Sequence, residues 1–317
     1  MKPSAKRSES SREGEHELAR VLRERLRVGP TLHRLRQSQV WIVLIFTSIV
    51  LMWGGMKLGG RFGLLVGFLL TLGFNALILF YDLWRLDGRF RGPNFEGQDP
   101  WGCLTTTRRL VQKLRRNSRF PMPQLRRFAC DTPMVLASGF MSRNFRIYIS
   151  TAALEKLSPE ELETAIAFQL VRFHTNQLRL ATAAAALADM VLTLAASLDA
   201  GFFLRFFLGR EPRRNCPGPV TWCIRPIVIL FLRLVIHRHS IMAVDQLTAE
   251  IFDCGPTLAR TLVKLDAYNK TIPANVNYAE ACLCIVDPLA GLPESSWAAV
   301  QPSIANRVKT LVGHFPL

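Results

Sequence analysis

The seven cysteines of this 317-residue chain include no CxxC pair, and their number is odd. A disulfide framework needs matched thiols in an oxidising compartment, so reduced thiols facing a cytosol are expected instead. Acidic residues are scarce: 24 Asp and Glu stand against 40 Lys and Arg, for a net charge of +16. Such an excess suits either nucleic acid or an anionic membrane surface, and the placement of the basic residues decides between them. They cluster beside apolar runs, without aromatic interleaving or a nucleic-acid motif, so no nucleic acid is expected as a partner. Also missing is a secretory signal, because no long apolar core stands within residues 1–39 and no small-residue cleavage site follows the apolar run after them.

What is abundant is apolar sequence, 49% of the chain. Residues 1–39 carry ten Lys or Arg and read as a cytosolic basic tail with a short helix at 15–27. Then 40-VWIVLIFTSIVLMWGGM-56 and 62-FGLLVGFLLTLGFNALILFY-81 are of about bilayer-spanning length, joined only by KLGGR. So short a link makes residues 40–81 an antiparallel transmembrane hairpin. The tail and Arg85, Arg89 and Arg91 outweigh Lys57 and Arg61 in the link, so both outer flanks are expected on the cytoplasmic side of a bacterial-type inner membrane. Membrane lipids are the first expected partner.

Residues 82–107, polar and rich in Gly and Pro, read as a linker, and 108–317 as the main domain. Within it 108–120 is a basic amphipathic helix, and 125–130 and 145–150 alternate as strands of a small sheet. Ser158, Pro159 and Glu161 occupy the N-cap, first-turn and capping-box positions of a helix over 158–174. Two further apolar helices are expected at about 178–208 and 220–236, interrupted by Asp189, Asp199, Arg225 and Arg233. Those charges would be the evidence for a channel or transporter, unless they pair between the two helices. Amphipathic helices follow at 240–252, 256–269 and 301–315. The fold class expected is mainly α (α+β).

A zinc hydrolase helix carries two His four residues apart with a Glu beside the first. The helix over 158–174 offers Phe168, Gln169 and Arg172 at that register. A ring, an amide and a permanent cation neither bind zinc nor act as a general base. Yet the surroundings resemble the HtpX-type membrane zinc metalloproteases. Leu58-Gly59-Gly60-Arg61 and Asn75 match the family's LGGR link and second-span Asn. Pro121-Met122-Pro123 and Pro133 to Gly139 match its PMP entry and NAFATG strand. Residues 152–172 align without a gap with the region of its HExxH helix, 226–245 with the segment of its third ligand, and 256–265, 285–291 and 301–311 with its later motifs.

The resemblance implies a zincin-like domain on the cytosolic side. It also implies that the two ligating His, the general-base Glu and the third-ligand Glu have become Phe168, Gln169, Arg172 and Ile241, with Arg238, Asp245 and Arg307 kept and Gln301 in place of a His. On this reading zinc is lost, there is no catalytic or metal site, and the chain is a pseudoprotease, not an enzyme. It would then serve as a scaffold, assembly or regulatory subunit for a membrane protein partner. The alternatives are an active or re-sited zinc metalloendopeptidase of membrane protein quality control, and a non-hydrolytic binder of unfolded membrane segments. Arg172, Asp245 and Arg238 are the candidate structural or partner residues, with Arg172 expected to pair with Asp245, and Phe168 and Ile241 to fill the vacated centre. Strand 145–150 is expected at a sheet edge, where it would pair with a client. His174, His237 and His239 are the candidates for a re-sited metal, and Cys130, Cys254 and Ser138 for another nucleophile.

Overall fold

The structure, a computed structural model, describes residues 45, 48–73, 75–76, 85–90, 92–93, 95, 102–115, 120–200, 218–272, 274, 276–289 and 300–313. The basic tail and its helix at 15–27 lie outside the described residues, as do the two ends of the predicted hairpin. The helical stretch α1, Ser48–Gly73, is apolar, and none of its apolar window is buried against protein. It is not one straight rod. Gly60 has φ +57, and a Cβ on Gly55 or Gly63 would collide with the other's backbone, which brings together residues eight apart in sequence. The Asn75 amide also donates to Ser48 Oγ at 3.2 Å, 27 residues away. The chain therefore reverses near the Gly-Gly link. Trp53, Leu58 and Phe62 are exposed around it, as lipid-facing side chains are.

The rest is mainly helical around one three-stranded sheet. Strand β1, Gln124–Phe128, pairs parallel with β3, Arg146–Ser150, and β2, Val135–Ser138, pairs antiparallel with β3, giving the order β1-β3-β2. All five residues of β3 are buried, as RIYIS on a doubly covered strand should be. The expectation of β3 as an edge strand is thus corrected: it is central. Beyond β1, Arg127 N–H donates to Pro93 O at 3.3 Å and Phe95 N–H to Leu125 O at 3.5 Å. Leu86, Phe90 and Phe95, from the stretch read as a linker, are buried in the core, with the Phe90 ring 5.0 Å from Phe128.

Ahead of α4 come helix α2, Cys103–Arg115, which starts five residues before the predicted 108, and the short α3, Thr151–Lys156. Helix α4, Pro159–His174, begins where its capping residues place it. Ser158 Oγ accepts from Glu161 N–H at 3.2 Å, and Glu161 Oε2 accepts from Ser158 N–H at 2.9 Å and from Lys264 Nζ at 2.7 Å. Burial pushes the Glu161 carboxyl up, but Lys264 and the Ser158 N–H outweigh it and hold it below its ordinary value. Removing the cap by Ser158→Ala is expected to cost about 1–2 kcal/mol, read as a lower unfolding midpoint of the detergent-purified protein.

Helix α5, Gln177–Ala200, divides its length between two surroundings. Residues 177–189 are packed inside the domain, with Arg179 only partly so, whereas Val191, Leu194 and Leu198 are exposed. Antiparallel to it runs α6, Pro219–Val235, which carries Pro226 within its length and has Trp222, Ile227, Leu230 and Leu234 exposed. Asp199 joins them by accepting from the first amides of α6, Val220 N–H at 2.9 Å and Thr221 N–H at 2.8 Å, which an otherwise uncapped helix start requires. The segment 201–217 lies outside the described residues. Two of the charges in these apolar helices pair outside them: Arg85 Nε meets Asp189 Oδ2 at 2.8 Å, and Arg225 bonds the Tyr278 hydroxyl. Helices α7, Arg238–Phe252, α8, Gly255–Thr271, the short α9, Tyr278–Ala281, and α10, Ile304–Val312, complete the domain. With apolar helices open to lipid, the protein is placed in a membrane.

Candidate functional site

The centre of the domain lies where α4 crosses β2 and where the chain after α9 returns. Leu283 to Ile285 run along the outer edge of β2: Ala137 N–H donates to Leu283 O at 3.3 Å and Ile285 N–H to Val135 O at 3.2 Å, making an antiparallel bridge of Leu136 with Cys284. The remaining carbonyls of this run are gripped by side chains. Arg172 Nη2 donates to Cys282 O at 2.6 Å, and its Nη1 to Leu283 O at 3.2 Å and Cys284 O at 3.4 Å. Gln169 Nε2 donates to Leu283 O and to Val135 O, each at 3.3 Å. Gln301 Nε2 reaches Ala281 O at 3.2 Å and Cys284 O at 3.0 Å, and Arg307 Nη1 reaches Ile285 O at 2.7 Å. Five successive carbonyls, 281 to 285, thus accept from four side chains. An irregular buried segment needs such donors, because its carbonyls have no ladder of their own.

Asp245, on α7, is fully buried and forms a two-pronged pair with Arg307, Nε to Oδ2 and Nη2 to Oδ1 at 2.7 Å each. The expected Arg172–Asp245 pair is therefore corrected. A bidentate fork takes Asp245 for Arg307, while Arg172, in the last turn of α4, meets backbone oxygens first. Arg172 still feels Asp245 as a favourable charge and Arg307 as an unfavourable one; burial above all pulls its guanidinium down to about 10, so it is charged at neutral pH. Burial pushes the Asp245 carboxyl up and the Arg307 fork pulls it back. Phe168 lies under this fork, its ring 5.2 Å from Arg307 Cζ, and Ile241 is buried in the same core. Both side chains belong to the buried core. Arg238 opens α7, and its side chain lies outside the described residues.

Zinc does not fit this donor set. Phe168 and Ile241 carry no ligand atom, the Arg172 cation repels a metal ion, and the Gln169 amide is turned with its NH2 toward two carbonyls. The other candidates are scattered. His174 sits beside the Phe120 ring at 6.0 Å, and His237 and His239 are exposed at the start of α7 with rings 5.8 Å apart. Among the described residues, no three His, Cys, Asp or Glu side chains are placed to share a metal ion. Ser138 is fully buried in β2, and burial pushes the Cys254 thiol up to about 11, away from the thiolate a nucleophile needs. The role of 281–285 was not foreseen from sequence. The run AEACLCIV is apolar and says only that it is buried.

No family model matches the sequence. Curated relatives do. The chain is 28% identical over 283 residues to a protein named Protease HtpX homolog from Pelotomaculum thermopropionicum, covering 87% of this chain and 98% of that one. It is 29% identical over 264 residues to the one from Gemmatimonas aurantiaca, 81% of this chain and 91% of that one. It is 26% identical over 265 residues to the one from Aquifex aeolicus. The chain is similar to the HtpX proteases. A crystal structure of S. mikatae Ste24p superposes with TM-score 0.45 at 16% identity, covering 86% of this chain and 66% of that one. The expectation that the chain is not an enzyme is overturned by the HtpX relatives: proteins alike along almost their whole length are named proteases, and they point to a protease.

Proposed function

We propose that the chain is an HtpX-like membrane protease-type protein that acts on polypeptides in the quality control of membrane proteins, from the cytoplasmic side of an inner membrane. The observation that carries this reading is the likeness to HtpX homologues along 81–87% of the chain. Its chemistry is not routed through a zinc ion on α4, whose donors do not suit one. The test presents casein, a folded membrane protein and an unfolded membrane segment to the detergent-purified full chain, with and without chelator, alongside its zinc content. Selective capture or cutting of the unfolded segment is the expected result. Indifference to all three would overturn the reading, and chelator-sensitive cutting with one zinc per chain would overturn the exclusion of metal from α4.

A second role, as scaffold, assembly or regulatory subunit for a membrane protein partner, is favoured by one observation. The outer edge of β2, where an extended client would add as a strand, is already taken by residues 283–285. The exposed apolar faces of α5 and α6 remain for a partner helix. Crosslinking in membranes separates the roles: one stoichiometric partner supports the second, and a broad range of client segments supports the first.

A further inference from the structure

Below the membrane helices lies a cavity of about 810 Å³, walled by Phe90, Phe128, Met134 and Val276 and by two arginines, Arg85 and Arg89. Each arginine is tied from behind to a carboxylate. Arg85 Nε meets Asp189 at 2.8 Å and Arg89 Nε meets Glu280 at 3.2 Å, with the arginine side chains 36% and 31% exposed and the carboxylates 5% and 0%. What the cavity offers a ligand is therefore guanidinium, its counter-charges sealed in the protein. Burial and the neighbouring Asp189 push the Glu280 carboxyl up, although Asn277 N–H and Arg89 oppose this.

The depth of the cavity is marked by α5. Arg85 also donates to Thr193 at 3.3 Å, so it spans Asp189 and Thr193, and between these two residues α5 passes from protein-packed to exposed apolar surface. Arg85 lies four residues after Tyr81, where the second apolar run of the hairpin ends. The arginine pair thus stands at the level where acyl chains give way to headgroups, and apolar walls beside it suit glycerol and chain carbons. Basic pockets at that level between membrane helices select phosphate-bearing headgroups.

We propose that the Arg85–Arg89 cavity is a binding site for a phosphate group, with an anionic phospholipid headgroup as its nearest source. The full chain is purified in detergent and reconstituted in discs of phosphatidylcholine or of equal parts phosphatidylcholine and phosphatidylglycerol, and retained lipid is counted by native mass spectrometry. Two variants spare the fold. Gly88→Trp fills the cavity from a position where a Cβ meets nothing within 4 Å, leaving both ion pairs in place. Arg89→Gln with Glu280→Gln removes both charges of that ion pair together. One phosphatidylglycerol retained per parent chain is expected, held about tenfold or more weakly in both variants, the worth of one charge-assisted contact. A second arm adds inorganic phosphate to delipidated protein: a rise in unfolding midpoint that both variants lose, without lipid retention, assigns the site to free phosphate. Retention unchanged in both variants, or neither lipid nor phosphate bound, overturns the proposal.

Discussion

Replacing Asp245 with alanine is expected to destabilise the domain by about 3–5 kcal/mol, the usual consequence of leaving a buried ion pair with one member. Here the consequence is compounded. Asp245 is the carboxylate of a fully buried pair, and it faces Arg307 directly and Arg172 through space. Without it two buried cations stand within one core. The measurement is thiol labelling under increasing heat, since Cys282 and Cys284 are buried at this centre and become reactive only when it opens. The double substitution Asp245→Leu with Arg307→Met is expected to recover part of the loss, because neither charge of the pair is left alone, although Ile285 O loses its Arg307 donor. A D245A protein that opens at the parent's temperature would refute the idea that this pair organises the centre.

The second large effect is expected from Arg172→Met, which keeps most of the volume and removes all three bonds to the 282–284 carbonyls. Each buried carbonyl left unsatisfied costs about 1–3 kcal/mol, less where another donor remains, so a loss of about 3–5 kcal/mol is expected. Leu283 O and Cys284 O keep Gln169 and Gln301, whereas Cys282 O has Arg172 at 2.6 Å. Hydrogen exchange localises the effect. The Ala137 and Ile285 amides, which bridge β2 to the returning segment, should exchange faster while amides within β3 stay protected. Equal acceleration in both places would mean that Arg172 supports the whole domain rather than this seam.

Much of the fold was legible because local chemistry specified it. Ser158, Pro159 and Glu161 announce the start of α4 by satisfying its first amides, and that needs nothing from the rest of the chain. The hairpin was equally plain, since two apolar runs joined by five residues cannot do otherwise than fold back. The position of β3 was not legible. Alternation tells which face of a strand is buried but not which segments flank it: β1 and β2 cover the two edges of β3, and Pro93, Phe95 and 283–285, which carry no strand pattern of their own, lie beyond them. Asp245 shows the same limit in electrostatic form: two arginines compete for it, one from α4 and one 62 residues further on, and only the approach of the α10 fork decides. The double surroundings of α5 were hidden because LATAAAALADMVLTLAASL suits protein packing and lipid equally.

That division of α5 makes the helix a mechanical lever. Its 24 residues form a rod of about 36 Å, anchored at one end where Thr182 accepts from Gly139 N–H at 3.3 Å beside the sheet. The other end meets lipid and is clasped to α6 through Asp199. A hydrogen-bonded rod tilts sooner than it bends, and bilayers of different thickness impose different tilts on the helices they surround. A change of tilt at the lipid end would therefore bear first on the Thr182–Gly139 contact at the end of β2, the strand against which residues 283–285 are held.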